Sequence, residues 1–205
     1  MANHLHEGDL PAGLFEGTAA VAIDSETMGL RLGRDRLCLV QISAGDGDAH
    51  MVRLSQDAYD APNLKALLTN PKVLKIFHFG RFDIAMFLHH LGVVTAPVYC
   101  TKIASKLART YTDRHGLKDV VRELVGVEVS KAQQSSDWGA DVLTPDQLAY
   151  AASDVLFLHQ VRDKLDLMLA REGRAALAKA CFDFLPSRAA LDLAGWEETD
   201  IFAHT

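Results

Sequence analysis

The run Val21-Ala22-Ile23-Asp24-Ser25-Glu26 ends in two carboxylates. A second apolar run, Val73-Leu74-Lys75-Ile76-Phe77-His78, is followed by Asp83. Far downstream, Tyr150 and Asp154 stand four residues apart in a strongly helical segment. Three separated segments thus offer four carboxylates and a phenol. Divalent cations such as Mg²⁺ and Mn²⁺ prefer carboxylate oxygens and keep several waters. Two of them roughly 3.5–4 Å apart supply a hydroxide-like nucleophile and stabilise a leaving oxygen. The chemistry this inventory points to is hydrolysis of a phosphodiester. Asp24 and Glu26 share a strand face, because residues two apart do. Tyr150 and Asp154 share a helix face. A phenol of ordinary pKa about 10 is better suited to orient a water than to deprotonate it.

The elements that position these groups follow from local pattern. Short apolar runs at 19–24, 37–43 and 49–54 read as strands, joined by turns rich in Gly, Asp and Arg. Residues 73–77 are an almost wholly apolar strand of the kind found at a sheet centre. Helical patterns cover 62–68, 82–91, 102–111 and 117–125, and 129–142 reads as a polar loop. Thr144-Pro145-Asp146-Gln147 predicts a helix start, with Thr144 as N-cap, Pro145 at the first position and Gln147 closing a capping box. The apolar period then runs on to about 169, and Gly173 breaks it. A last helix at 174–193 is expected to be interrupted at Pro186. The order of strands and helices predicts α/β with a mixed sheet flanked by helices.

Composition bounds the reading. A chain of 205 residues that is 49% hydrophobic and 23% charged fits one globular domain with an added arm. Three scattered cysteines form no disulfide framework or zinc unit, which fits a reducing cytoplasm. The start Met-Ala-Asn-His-Leu-His-Glu-Gly-Asp is not a signal peptide, and no apolar stretch spans a membrane. A net charge of −6 argues against broad electrostatic binding of long nucleic acid. The charge is uneven: residues 101–131 carry seven Lys/Arg against four Asp/Glu. A short substrate with few phosphates suits such a balance best.

Each acidic motif alone has an ordinary reading as a strand end, a helix cap or a surface pair. Their joint order and context are more specific. Ile23-Asp24-Ser25-Glu26, His78-Phe79-Gly80-Arg81-Phe82-Asp83 and Tyr150-Ala151-Ala152-Ser153-Asp154 resemble motifs I, II and III of the DEDDy 3′–5′ exonucleases. Arg36-Leu37-Cys38-Leu39-Val40-Gln41-Ile42-Ser43 resembles the second strand of the RNase D branch, and Lys131, Gln134, Ser136, Asp137 and Trp138 match its Lys-x-x-Gln-x-Ser-Asp-Trp element. The resemblance covers about 15–170. The short chain and its tail at 182–204 are most similar to the nanoRNase C family, short RNase D-like exoribonucleases of alphaproteobacteria.

The resemblance implies an RNase H-like fold and an exonuclease domain at 1–172, followed by a helical, aromatic arm at 173–205. It implies two divalent cations, Mg²⁺ or Mn²⁺, on Asp24, Glu26, Asp83 and Asp154. Catalysis would fall to those four and Tyr150, releasing 5′-mononucleotides from the 3′ end of very short RNA, dinucleotides included. Some members accept DNA, so sugar selectivity stays open. Met28 and Leu30 would cradle the terminal base, or else are ordinary loop packing. Gly29 would let the backbone approach the ligand. His78 is either a substrate contact or a satisfied core histidine. Arg81, Lys131 and Gln134 are the remaining candidates for substrate binding, although Arg81 equally suits a surface ion pair. The apolar groups of the arm either fold back as core or form a homo-oligomer interface, and a ring of eight rests on resemblance alone. A broader RNase D-like exonuclease acting on longer RNA or single-stranded DNA is the alternative, and a non-enzymatic binding module with a degenerate site is a third reading.

Overall fold

The structure is a computed structural model and describes residues 2–55, 58–130, 133 and 135–204. One six-stranded sheet runs β1-β4-β3-β2-β5-β6, with β1 Asn3–Glu7, β2 Ala20–Thr27, β3 Leu37–Ser43, β4 Ala49–Arg53, β5 Leu74–Phe77 and β6 Val98–Cys100. β2–β3 and β3–β4 pair antiparallel, whereas β1–β4, β2–β5 and β5–β6 pair parallel, so the sheet is mixed as expected. The helices are α1 Pro62–Thr69, α2 Gly80–Leu91, α3 Thr101–Ala108, α4 Leu117–Val125, α5 Pro145–Leu156, α6 Leu158–Arg171 and α7 Ala175–Leu191. Every residue of β3 is buried, which suits a strand with neighbours on both edges and helices over its faces.

Several boundaries differ from the sequence reading. β2 continues past Asp24 to Thr27, so Asp24 and Glu26 lie within a strand; its register slips only between Glu26 and Thr27. β1 and β6 carry no strand signal in the sequence. Asn3-His4-Leu5-His6-Glu7 has no apolar alternation because it is an exposed edge strand, and β6 is three residues long. The apolar period from 148 to 169 is two helices, with Phe157 at φ −105°, ψ −5° forming the joint. The helix at 102–111 closes at Ala108, where Arg109 leaves helical geometry. Pro186 does not interrupt α7, which passes through it and ends in a wider turn at Asp192–Trp196. Proline lacks the N–H for one helical bond, and packing of Phe182, Leu185 and Ala189 into the main core outweighs that loss.

The arm is therefore divided. One face of α7 belongs to the core, with the Phe182 ring 4.4 Å from that of Tyr99. Its other face and the tail leave Phe184, Trp196, Ile201 and Phe202 exposed. No helix among the described residues is long and apolar enough to cross a membrane.

Candidate active site

β2 sits near the middle of the sheet and carries Asp24 and Glu26 on one face. α2 starts three residues after β5 ends and places Asp83 in its first turn. That entry is tight. Phe79 adopts φ 71°, a left-handed conformation uncommon for a residue with a side chain. A Cβ on Gly80 would meet Phe77 Cβ at 2.7 Å, so only glycine fits there. The capping box of α5 forms as expected: Gln147 N donates to Thr144 Oγ1 at 3.2 Å, and Thr144 N donates to Gln147 Oε1 at 2.9 Å. It fixes the helix that carries Tyr150 and Asp154.

The structure brings Asp24, Glu26, Asp83, Tyr150 and Asp154 together in one open cleft of about 660 Å³. Ligand oxygens of Asp24, Glu26 and Asp154 all lie within 4.8 Å of one another. Asp83 is tied to the back of the same strand, where Ser25 Oγ donates to its Oδ1 at 2.6 Å. Gln41 on β3 donates to Asp24 Oδ2 at 3.0 Å and Glu26 Oε1 at 3.4 Å.

The electrostatics follow from crowding. Burial pushes the Asp24 carboxyl well up, and the charges of Asp83, Asp154 and Glu26 add to the push. Burial, then Asp154 and Asp83, raise Glu26 to about 9. Asp83 rises to about 7 through burial, against the Ser25 hydrogen bond. Asp154 also rises to about 7 through burial, against the bond from Tyr150. Buried like charges cannot all ionise without compensation. An all-oxygen donor set whose members repel one another fits hard divalent cations. Burial and then the charges of Asp154, Glu26 and Asp24 raise the Tyr150 phenol, which keeps its proton at neutral pH.

The remaining candidates divide. Met28, Gly29 and Leu30 line the cleft, Leu30 with 83% of its surface exposed. Gly29 also makes room for Asp35, since a Cβ there would collide with the Asp35 carboxylate. His78 also lines the cleft, its Nδ1 2.8 Å from Thr101 Oγ1 and its Nε2 buried without a partner among the described residues. Burial lowers it to about 3, so it is neutral. Arg81 is not among the cleft-lining residues. Its guanidinium grips Asp192 at 2.5 and 2.7 Å and the Glu197 carbonyl, the ion-pair reading of that residue. Lys131 and Gln134 lie outside the described residues.

Sequence reasoning passed over several cleft residues. Lys102 and Lys118 stand in its wall, and the basic excess at 101–131 was their signal. Trp138 lines the cleft and packs tilted against Tyr150, with ring centroids 6.0 Å apart and planes at 38°. Ser25 and Gln41 gave no sign of their bonding, since neither partner is local.

A 3′–5′ exonuclease family model matches residues 12–170, and the chain belongs to this family. The fold and site thus define a 3′–5′ exonuclease, a phosphodiester hydrolase of the RNase D type. Ribonuclease D of Acidiphilium cryptum is 38% identical over 154 residues, which is 75% of this chain but 39% of that protein. The chain thus spans under half the length of the curated relative it matches. Two solved structures of Brucella melitensis NrnC, a nanoRNase C, align end to end. The form with bound Mg²⁺ is 54% identical with TM-score 0.96, and the form bound to pGG is 55% identical with TM-score 0.97, each alignment covering 100% of both chains.

Proposed function

We propose that the chain hydrolyses short oligoribonucleotides, dinucleotides included, from the 3′ end to 5′-mononucleotides, using two divalent cations, Mg²⁺ or Mn²⁺. The observation that carries this reading is the meeting of four carboxylates and one protonated phenol in a single cleft. The cleft volume of about 660 Å³ lies within the roughly 300–1,000 Å³ of small-molecule sites, a size suited to a compact substrate. The NrnC relative that binds pGG supports the same choice.

Asp24, Glu26 and Asp154 would hold one cation, and Asp83, with Asp24 shared, the other. When bound, the cations supply an activated water and charge neutralisation at the leaving oxygen. The chain's own residues do the rest. Ser25 and Gln41 hold the carboxylates in place. Tyr150, protonated and one turn before Asp154, orients the attacking water by hydrogen bonding. Met28 and Leu30 stand at the cleft for the terminal base, Leu30 as an apolar wedge. Lys102 and Lys118 offer positive charge to phosphates. Tyr150→Phe is expected to lower kcat about 100-fold, the lower end of what a positioned proton donor contributes. Steady-state kinetics at saturating Mn²⁺ measure it, and a kcat equal to wild type would remove Tyr150 from the mechanism.

A second reading, trimming of longer single-stranded RNA or DNA, has one observation in its favour. A groove lined by Arg81, Lys102, Lys106 and Arg188 shares Phe79 and Lys102 with the cleft. Labelled RNAs of two to about twenty nucleotides, with Mn²⁺ or EDTA, separate the two, since phosphate contacts scale with strand length. The first reading expects the dinucleotide to disappear fastest and only with metal. Faster trimming of the longest RNA, with the dinucleotide left over, would favour the second.

We also place a homo-oligomer contact, a ring by resemblance, on the exposed apolar groups Phe184, Trp196, Ile201 and Phe202. A monomer mass by light scattering would remove it. A cytoplasmic location fits the bacterial relatives.

A further inference from the structure

Gln41 lies in β3, fully buried and directly opposite Asp24 in the β2–β3 ladder. Its amide nitrogen is 3.0 Å from Asp24 Oδ2 and 3.4 Å from Glu26 Oε1. A side-chain amide carries two N–H donors, so this one group serves both carboxylates at once. Its Oε1 is buried without a partner among the described residues. A buried polar group left half-satisfied weakens a fold, and an apolar side chain of the same volume would serve the core better. On its own face of the sheet, Leu39 and, across the ladder, Met51 are apolar and fully buried. The stability of the sheet therefore does not explain a glutamine at this position.

We infer that Gln41 is a positioning residue for the cation-binding carboxylates. Its two donors occupy one oxygen of Asp24 and one of Glu26, which fixes both rotamers and leaves the second oxygen of each for coordination. They also offset the repulsion between carboxylates that converge within 4.8 Å. Asp83 has its own clamp in Ser25, so the effect of Gln41 falls on the Asp24–Glu26 side. The inference rests on the two-cation reading of the cleft. Partners that orient ligands from outside the coordination sphere typically govern metal affinity by about 10- to 100-fold.

The test is calorimetric Mn²⁺ titration of the full chain as wild type, Gln41→Met and Gln41→Asn, with thermal midpoints in EDTA. Gln41→Met removes both donors at similar volume, while Gln41→Asn keeps an amide that is one methylene too short to reach both carboxylates. Both variants are expected to bind Mn²⁺ about 10- to 100-fold more weakly, with Gln41→Met melting in EDTA at or above wild type. If Gln41→Met fails to fold, the Gln41→Asn titration decides. Variants that bind Mn²⁺ as tightly as wild type would overturn the role of Gln41 and leave the cation reading intact. A wild type that takes up no Mn²⁺ would sink both.

Discussion

Asp24→Asn is expected to lower kcat/KM on a dinucleotide by at least about 1,000-fold, well beyond the roughly 10–100-fold set by supporting residues. The reason is position. Asp24 neighbours every other acidic group of the cleft, and Asp83, Asp154 and Glu26 all raise its pKa. On the proposed two-cation reading it is the carboxylate that would touch both cations, so its loss would remove a ligand from each. The amide keeps the shape and still faces Gln41, so the fold should survive. In EDTA the variant should melt above wild type, because one of four crowded carboxylates has gone. Kinetics and thermal melting on the same preparations measure both effects. A variant with wild-type turnover would end the two-cation reading. One that melts below wild type in EDTA would show that Asp24 stabilises the fold directly.

The five acidic and phenolic residues were legible because each motif is local. Asp24 and Glu26 are two apart on a strand, and Tyr150 and Asp154 are four apart on a helix whose cap is written in Thr144 and Gln147. The mixed sheet was legible because its central strands are mostly apolar, β3 interrupted only by Gln41 and Ser43 and β5 only by Lys75. What stayed hidden depends on register or on distant packing. Gln41 meets Asp24 only because β2 and β3 pair in one particular register. Arg81 meets Asp192 across 111 residues of sequence, which no local pattern encodes. The edge strand β1 is held by pairing with β4, not by an apolar face of its own. The joint at Phe157 carries neither glycine nor proline, so the apolar period ran straight through it.

Stability without cations should fall as pH rises, while the stabilisation that cations add should grow. Without them, Asp83 and Asp154 titrate near 7 and Glu26 near 9 in the folded protein, against ordinary values of 3.8 and 4.5. In that window the folded protein holds protons the unfolded chain has released, so stability falls as pH rises. The protonated carboxyls contribute fully below about pH 4, and that contribution is lost through about 7 and then about 9. In EDTA the melting temperature should therefore drop between pH 5 and pH 8. Cations bind the ionised carboxylates, so their affinity rises over the same range. At about 100 times its dissociation constant, one ion adds about 2.7 kcal/mol. For a chain of this size that raises the melting temperature by about 5–10 °C. Melts in Mn²⁺ and EDTA at both pH values give four numbers. The gain from Mn²⁺ should be larger at pH 8 than at pH 5. An equal gain at both would mean that the ions bind elsewhere than at these four carboxylates. Asp24→Asn serves as the control, since its slope with pH in EDTA should be shallower if crowding of the cleft acids is the cause.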